Sequence, residues 1–238
     1  MEYLIEGFKK GFPLNFALIP ARSGSQRLAE KNHLDICGIS LVDYSLQLAI
    51  SSGKFDQVFL NSDSKSFEKY ALKNSAKFHL RPQILGSSET RIDEVIYEFL
   101  VSHPDCKNLF LINPPSQLLK VKDVEDAMLF FETESLDSLI TSTKMYRHAF
   151  MDSRPLNFDI KQALSPTQDL EPIEILNYSI MGWKSESFIK SFQESAAGLM
   201  CGNFKTFENG ITNLLAIKTE EDFDIQKILR ESGQFGER

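Results

Sequence analysis

Cysteine is scarce in this sequence, and its three residues lie far apart. Cys37, Cys106 and Cys201 form no pair with the spacing of a zinc site, and no disulfide framework can be read from them. Such usage is typical of a reducing compartment, so we expect a cytoplasmic protein. The acidic first residues, MEYLIEGFKKGF, also lack the basic and apolar regions that a signal peptide needs.

Long apolar runs and an excess of positive charge are absent as well. No run approaches the roughly 18 apolar residues of a membrane-spanning helix, so we expect no membrane partner. Against 33 Asp and Glu there are 26 Lys and Arg, which gives a net charge of −7. A nucleic-acid surface usually shows a basic stripe, so we expect no nucleic-acid partner. A small anionic ligand is still compatible, because a local group of cations can override the global sign.

What the sequence does contain is an alternation of short apolar runs with amphipathic stretches. Strands are predicted at 15–20, 57–60, 77–80, 108–112, 138–142, near 204 and at 214–217, with regular structure at 175–183. Helices are predicted at 41–52, 65–75, 91–101, 121–132, 186–193 and from 220 onward, where Thr219 and Asp222 resemble a capping box. This alternation predicts one α/β domain over residues 1–238, a doubly wound and mostly parallel sheet with helices on both faces.

The alternation stops between residues 144 and 172. This segment is polar, contains three prolines and is too long for a simple connection. Such insertions are typical of a binding loop or of an arm that reaches another subunit.

One loop carries the strongest chemical signal. Residues 20–32, PARSGSQRLAEKN, directly follow the first predicted strand, and ligands of parallel sheets bind beyond strand ends of this kind. Small residues around Gly24 let backbone N–H groups turn inward around an anion. Arg22, Arg27 and Lys31 add three positive charges. Directed donors and cations together suit a triphosphate, and the alternative is an ordinary surface turn.

The same loop resembles a family signature. Residues 19–32, IPARSGSQRLAEKN, are similar to the signature of the cytidylyltransferases that activate acidic sugars, the CMP-sialic acid synthetase family. Further segments resemble that family in the same order: NSD at 61–63, LRP at 80–82, INPPS at 112–116 and TEEDF at 219–223. The resemblance implies a fold of the nucleotide-diphospho-sugar transferase type and a homodimer in which the arm at 144–172 is exchanged.

The reaction that the resemblance implies joins CTP to a nine-carbon 2-keto sugar acid and gives CMP-sugar and pyrophosphate. The anomeric hydroxyl of the sugar would attack the α-phosphorus in line, helped by positioning and charge neutralisation. CTP would be bound by Ala21, Arg22, Ser25, Lys31, Asn32, Arg81, Ser88 and Thr90. The sugar acid would be bound by Asn113, Gln168 and Asn177. Catalysis is expected from Arg22, Lys31, Asp63 and Lys218, with Asp63 as the candidate ligand of Mg²⁺.

The sequence departs from the family where the metal is expected. In place of the family's metal-binding D-I-D-T, the chain has AIKT, with Ala216 and Lys218 at the two aspartate positions. Mg²⁺ usually takes one or two carboxylates beside the phosphates, which leaves Asp63 as the remaining candidate. Two hypotheses follow. In one, the enzyme works and Lys218 supplies part of the metal's charge; in the other, a catalytically impaired homologue binds nucleotide or sugar as a regulatory or partner subunit. Lys218 as an ordinary solvated side chain is the simplest alternative.

Positions on the sugar side differ as well. The family's Asn-Gly pair is Asn177-Tyr178 here, which puts a bulky ring where the family keeps a small residue. The arginine of its R-Q pair is Thr167, and the arginine that closes its L-Q-P-T-S-P-L-R stretch is Leu119, followed by Lys120.

Overall fold

The computed structural model describes residues 14–24 and 33–233. The candidates Ser25, Lys31 and Asn32 lie outside the described residues, as does Arg27.

The described strands are β1 (Asn15–Pro20), β2 (Asp35–Ile36), β3 (Ile39–Ser40), β4 (Gln57–Ser62), β5 (Lys77–Leu80), β6 (Asn108–Ile112), β7 (Ser138–Met145), β8 (Phe150–Met151), β9 (Arg154–Pro155), β10 (Ile173–Lys184) and β11 (Phe204–Glu208). Seven of them form one sheet at the centre of the molecule, in the spatial order β11-β7-β10-β6-β1-β4-β5. Within the large sheet, β10 runs antiparallel to β6 and β7, and the other described pairings are parallel. The predicted mostly parallel α/β fold is confirmed.

Helices cover both faces of this sheet. They are α1 (Leu41–Ser51), α2 (Glu68–Lys73), α3 (Ile92–Ser102), α4 (Val121–Thr133), α5 (Ser185–Ser195) and α6 (Glu220–Glu231). Because side chains alternate along a strand, β1 contributes to two cores. Ala17 and Ile19 pack with residues of α1 and α4 on one face, and Phe16 and Leu18 pack with residues of α3 and α5 on the other. No helix in the described part of the chain is long and apolar enough to cross a membrane.

The connections place a crevice beside β1. This strand pairs in parallel with β4 on one side and with β6 on the other. The chain therefore runs from β1 through β4 to β5 in one direction and then returns to β6 on the opposite side of β1. At such a topological switch point the loops that follow neighbouring strands diverge, and ligands bind between them at the carboxyl ends of the strands.

The end of the chain corrects one prediction. The strand predicted at 214–217 is wrong, because Ile211–Leu214 form a 3-10 turn and the following residues make single contacts instead of a ladder. Ile217 N donates to Pro115 O at 3.0 Å, and Leu215 O accepts from the side chain of Gln226. The capping box is confirmed: Asp222 N donates to Thr219 Oγ1 at 3.2 Å, and Thr219 N donates to Asp222 Oδ2 at 2.9 Å.

The insertion at 144–172 connects β7 to β10 and extends beyond the end of the sheet. Its first residues belong to β7, which pairs with β10 as far as Met145 opposite Ile173. Beyond this pair the chain forms the short β8–β9 hairpin and a 3-10 turn at Thr167–Asp169. Because β10 is antiparallel to both β7 and β6, β7 runs in the same direction as β6 and β1. Its carboxyl end and the insertion therefore lie at the same end of the sheet as the crevice.

Candidate functional site

A cavity of about 200 Å³ opens at the switch point. Its lining includes Arg22 after β1, Arg81 after β5, Thr90 before α3, and Asn113 and Pro115 after β6. The fold thus brings together, from three separate connections, the residues Arg22, Arg81, Thr90 and Asn113, which the family resemblance assigns to the nucleotide or the sugar. Two guanidinium groups around one small polar cavity favour an anionic ligand.

Asp63, directly after β4, holds the start of the loop at 20–32. Its carboxylate accepts hydrogen bonds from Ser23 N at 2.9 Å and from Ser23 Oγ at 2.6 Å, and Arg81 Nη2 lies 3.6 Å from its Oδ1. Burial alone would raise the pKa of Asp63, but the bonds from Ser23 and the charge of Arg81 outweigh burial and lower the pKa below its ordinary value. Asp63 is therefore a carboxylate at neutral pH, and its oxygens face protein groups.

A tight turn packs against the same carboxylate. A β carbon built on Gly86, in the 3-10 turn Gln83–Gly86, would lie 2.3 Å from Asp63 Oδ2. Only glycine allows this approach without a shift of Asp63. These contacts could not be predicted from the sequence, because Ser23 and Gly86 are separated from Asp63 by long stretches of chain.

Arg81 is buried, with 4% of its surface exposed. Its Nη1 donates to Asn61 Oδ1 at 2.7 Å. Burial lowers the pKa of Arg81 while the charge of Asp63 opposes the shift, and the guanidinium stays protonated because its ordinary pKa is so high. Among the described residues, neither Arg81 Nε nor Asn61 Nδ2 has a hydrogen-bond partner. Buried donors of this kind are costly unless an acceptor binds there.

The remaining candidates for the nucleotide lie around this pair. Ala21 is buried at the end of β1. Arg22 Nη1 donates to Ser87 O at 3.4 Å, which ties the loop after β1 to the loop before α3. Thr90 lines the cavity, whereas Ser88 is exposed and its hydroxyl donates to Glu89. Their contacts with CTP stay predictions.

Asn177, a candidate for the sugar, is instead surrounded by protein partners. It is 7% exposed. Its Oδ1 accepts from Thr141 Oγ1 at 2.7 Å and from Ser179 N at 3.1 Å, and its Nδ2 donates to Thr143 Oγ1 at 3.1 Å and to Asn209 Oδ1 at 2.7 Å. Both ends of the amide are therefore satisfied without a ligand, and a direct bond to the sugar would displace one of these partners.

The other two candidates lie farther along the chain. Gln168 is exposed in the 3-10 turn of the insertion. Lys218 is exposed directly before α6, and the bond from its neighbour Ile217 to Pro115 O places it beside the loop after β6. Because Pro115 also lines the cavity, the fold brings the backbone of Lys218 close to the cavity wall. The contacts of Gln168 with the sugar and of Lys218 with the phosphates stay predictions.

These side chains do not fit a magnesium site of the usual kind. The oxygens of Asp63 are engaged by Ser23 and Arg81, and Ala216 and Lys218 offer no carboxylate. The described residues contain no group of three or more His, Cys, Asp or Glu side chains placed to hold a metal ion. Mg²⁺ requires near-octahedral oxygen ligands. The contacts of Asp63 therefore favour a role in positioning the loop, and its predicted binding of Mg²⁺ stays a prediction.

Comparison with known proteins identifies the family. A family model described as cytidylyltransferase matches residues 16–157, more than half of the chain. The matched region includes all the strands whose loops form the cavity.

Two curated relatives illustrate the match. The N-acylneuraminate cytidylyltransferase of Streptococcus agalactiae serotype III is 24% identical over 181 residues, which are 73% of this chain and 44% of that protein. The pseudaminic acid cytidylyltransferase of Campylobacter jejuni is 46% identical over 63 residues, which are 26% of this chain and 27% of that protein. The chain thus matches less than half the length of these relatives.

A solved structure shows the same fold. The structure of CMP:2-keto-3-deoxy-manno-octonic acid synthetase complexed with CTP superimposes with a TM-score of 0.70, covers 92% of this chain and 99% of that chain, and is 15% identical. The predicted resemblance to CMP-sialic acid synthetases is confirmed by the family model and the acylneuraminate relatives. The chain belongs to the cytidylyltransferase family.

Proposed function

We propose that this chain transfers the cytidylyl group of CTP to a sialic-acid-like 2-keto sugar acid in the cytoplasm. The anomeric oxygen forms a bond to the α-phosphorus, the bond between the α-phosphorus and its bridging oxygen breaks, and pyrophosphate leaves while the hydroxyl proton passes to solvent. The observation that carries this proposal is the pair of arginines, Arg22 and Arg81, facing one cavity at the switch point of a cytidylyltransferase fold.

The side of the cavity next to β4 and β5 suits the nucleotide. Arg81 lines the cavity, and its buried Nε has no partner among the described residues, while cytosine offers acceptors at its carbonyl oxygen and ring nitrogen. Arg22 brings a second positive charge to the same cavity, from the loop that begins at the end of β1. Because Asp63 holds Ser23, the neighbour of Arg22, before CTP binds, little rearrangement of Arg22 is needed during the reaction, which is how preorganised charges lower a barrier.

The side next to β6 and β10 is left for the acceptor. Asn113, at the end of β6, lines the cavity there. The acceptor class is supported by the names of the similar proteins, which refer to acylneuraminate, pseudaminic acid and 2-keto-3-deoxy-manno-octonic acid. All three names describe acidic sugars, and an acidic acceptor agrees with a site rich in cations.

Pyrophosphate release tests the reaction. With CTP, Mg²⁺ and N-acetylneuraminic, pseudaminic or 2-keto-3-deoxy-manno-octonic acid, we expect release that depends on one of the sugars. CTP binding without release for any sugar would favour the alternative, an impaired homologue that binds nucleotide or sugar as a regulatory or partner subunit. If calorimetry detects binding neither of CTP nor of any of these sugar acids, both hypotheses are wrong.

Replacement of Asp63 separates a positioning role from a metal-binding role. Asp63→Asn removes the charge that faces Arg81, and we expect the Kd for CTP to rise about tenfold. The titration is made with Mg²⁺ and again with EDTA, and a positioning role predicts a similar loss in both. A loss seen only with Mg²⁺ would make Asp63 a metal ligand. Asp56→Asn is the matched control, because Asp56 Oδ2 accepts from Asn15 N at 2.9 Å at the opposite end of β1.

Lys218 is proposed to attract the phosphates in place of part of the metal's charge. An ammonium group on a solvated surface contributes up to about 1 kcal/mol, so Lys218→Ala is expected to raise the Kd for CTP about fivefold. Lys227→Ala, which removes an exposed lysine farther along α6, is expected to leave the Kd unchanged. Equal affinity in the two variants would make Lys218 an ordinary surface residue.

The enzyme is proposed to act as a homodimer joined by the insertion at 144–172. Single exposed apolar residues are normal, but this short segment exposes a group of large ones. They are Tyr146, Phe150, Met151, Leu156, Ile160 and Leu164. A second copy of the chain would cover them.

Sedimentation of a charge variant tests the dimer. Phe150→Glu places a carboxylate among these apolar side chains and is expected to convert the dimer to a monomer. Leu72→Glu is the control, since Leu72 is 73% exposed on α2, outside the insertion, and its replacement should leave the dimer intact. A chain that sediments as a monomer without any substitution would contradict the proposal.

A further inference from the structure

Strand β10 contains a large bulge at the end of the sheet where the cavity lies. Its pairing with β7 shifts between Leu176 and Met181, so that residues 177–180 lie opposite the single residue Thr141. Bulges of this kind turn side chains away from the regular alternation and are common beside binding sites.

Buried hydrogen bonds hold the bulge in one shape. Thr141 Oγ1 donates to Asn177 Oδ1 at 2.7 Å and accepts from Ile180 N at 3.0 Å. Ser179 Oγ also donates to Asn177 Oδ1, at 2.9 Å, and Thr141, Asn177 and Ser179 are all buried. The backbone on both sides of residue 178 is therefore fixed.

Tyr178, between these fixed residues, adopts a strained conformation. Its φ of 58° lies in the left-handed region, which favours glycine and crowds the β carbon of a large residue. Although both sequence neighbours are buried, Tyr178 is 40% exposed. Strain persists where the surrounding structure imposes it, and it is concentrated at binding sites.

The position of Tyr178 connects it to the cavity. Its carbonyl oxygen accepts a hydrogen bond from Asn113 Nδ2 at 3.4 Å, and Asn113 lines the cavity. In the order of the sheet, β10 lies on the far side of β6 from β1, β4 and β5. Tyr178 is therefore on the opposite side of Asn113 from Arg81.

We infer that Tyr178 determines which sugar acid is accepted, by packing its ring against the acceptor. This inference rests on the proposed cytidylyl transfer: with CTP held on the side of Arg22 and Arg81, the acceptor occupies the side of β6 and β10. A rigid ring offers a large apolar surface with few rotatable bonds, and contact with the C–H groups of a sugar discriminates between acceptors by shape. The fixed backbone around residue 178 sets the position of that ring.

Two substitutions at this residue test the inference. Tyr178→Gly removes the ring and suits the left-handed backbone, so the urea midpoint of unfolding is expected to be no lower than that of the unchanged chain. The KM for the accepted sugar acid is expected to rise about tenfold or more, because the packing contact is lost, while the KM for CTP stays the same. Tyr178→Phe keeps the ring and is the matched control, with an acceptor KM within about twofold of the unchanged chain.

The outcomes separate this inference from the proposed function. An acceptor KM that is unchanged in Tyr178→Gly, or a CTP KM that rises equally, would overturn the inference while the reaction stands. If the unchanged chain releases no pyrophosphate, saturation-transfer NMR of the same sugar acids with protein and CTP measures acceptor binding directly. A signal that weakens in Tyr178→Gly and persists in Tyr178→Phe supports the inference. Equal signals in both variants, or no signal with the unchanged chain, overturn it.

Discussion

The arrangement of this molecule depends on the burial of β1 between two parallel neighbours. Phe16, Ala17, Leu18 and Ile19 are completely buried, alternately in the two cores of the sheet. Each large apolar side chain buried in this way contributes roughly 1.5–3 kcal/mol, so a shift of register by one residue would exchange the two sets between unlike cores. Because β1 and β6 are parallel, the loops that follow them leave from the same end of the sheet. The candidate site forms at this end because the loops that carry its residues follow the carboxyl ends of these buried strands.

The contact between Asp63 and Arg81 determines geometry more than stability. Removing two charges from water costs free energy that their attraction largely offsets, and the separation of 3.6 Å is longer than that of a strong ion pair. The contact instead fixes the relative positions of the three loops that follow β1, β4 and β5. Asp63 follows β4, accepts hydrogen bonds from the backbone N–H and the hydroxyl of Ser23 after β1, and faces the guanidinium of Arg81 after β5. A charged site assembled from separate strands needs such a link if its cations are to be in place before the ligand arrives.

The sequence predicted those features whose causes are local. The apolar runs at 15–20 and 108–112 became strands with the same bounds, since a run that must be buried on both faces has few other solutions. Thr219 and Asp222 are three residues apart, so their capping box was also visible. These signals need no knowledge of distant residues.

Features that depend on distant partners could not be predicted in the same way. The apolar run at 214–217 has the composition of a strand, but its backbone groups bond to Pro115 and Gln226 instead of a neighbouring strand. Asn177 was expected to face the sugar, and its partners on β7 could not be seen from its own neighbours. The hydrogen bonds from Ser23 to Asp63 also join residues that are far apart in the sequence. In each case a polar group is satisfied by a residue far away in the chain, and the sequence pattern says nothing about that residue.

The antiparallel direction of β10 explains why the bulge and the insertion occur together. Because β7 and β10 are antiparallel, they can be joined directly beyond the edge of the sheet, whereas parallel strands need a crossover connection. The first residues of β10, Ile173 to Leu176, pair with β7, and the last ones, from Ile180, pair with β6 as well. Tyr178 lies between these two parts of β10, where extra residues can be inserted without interrupting the pairing with β6. The strained conformation of Tyr178 is tolerated because the buried hydrogen bonds of Thr141 and Asn177 hold the backbone on both sides of it.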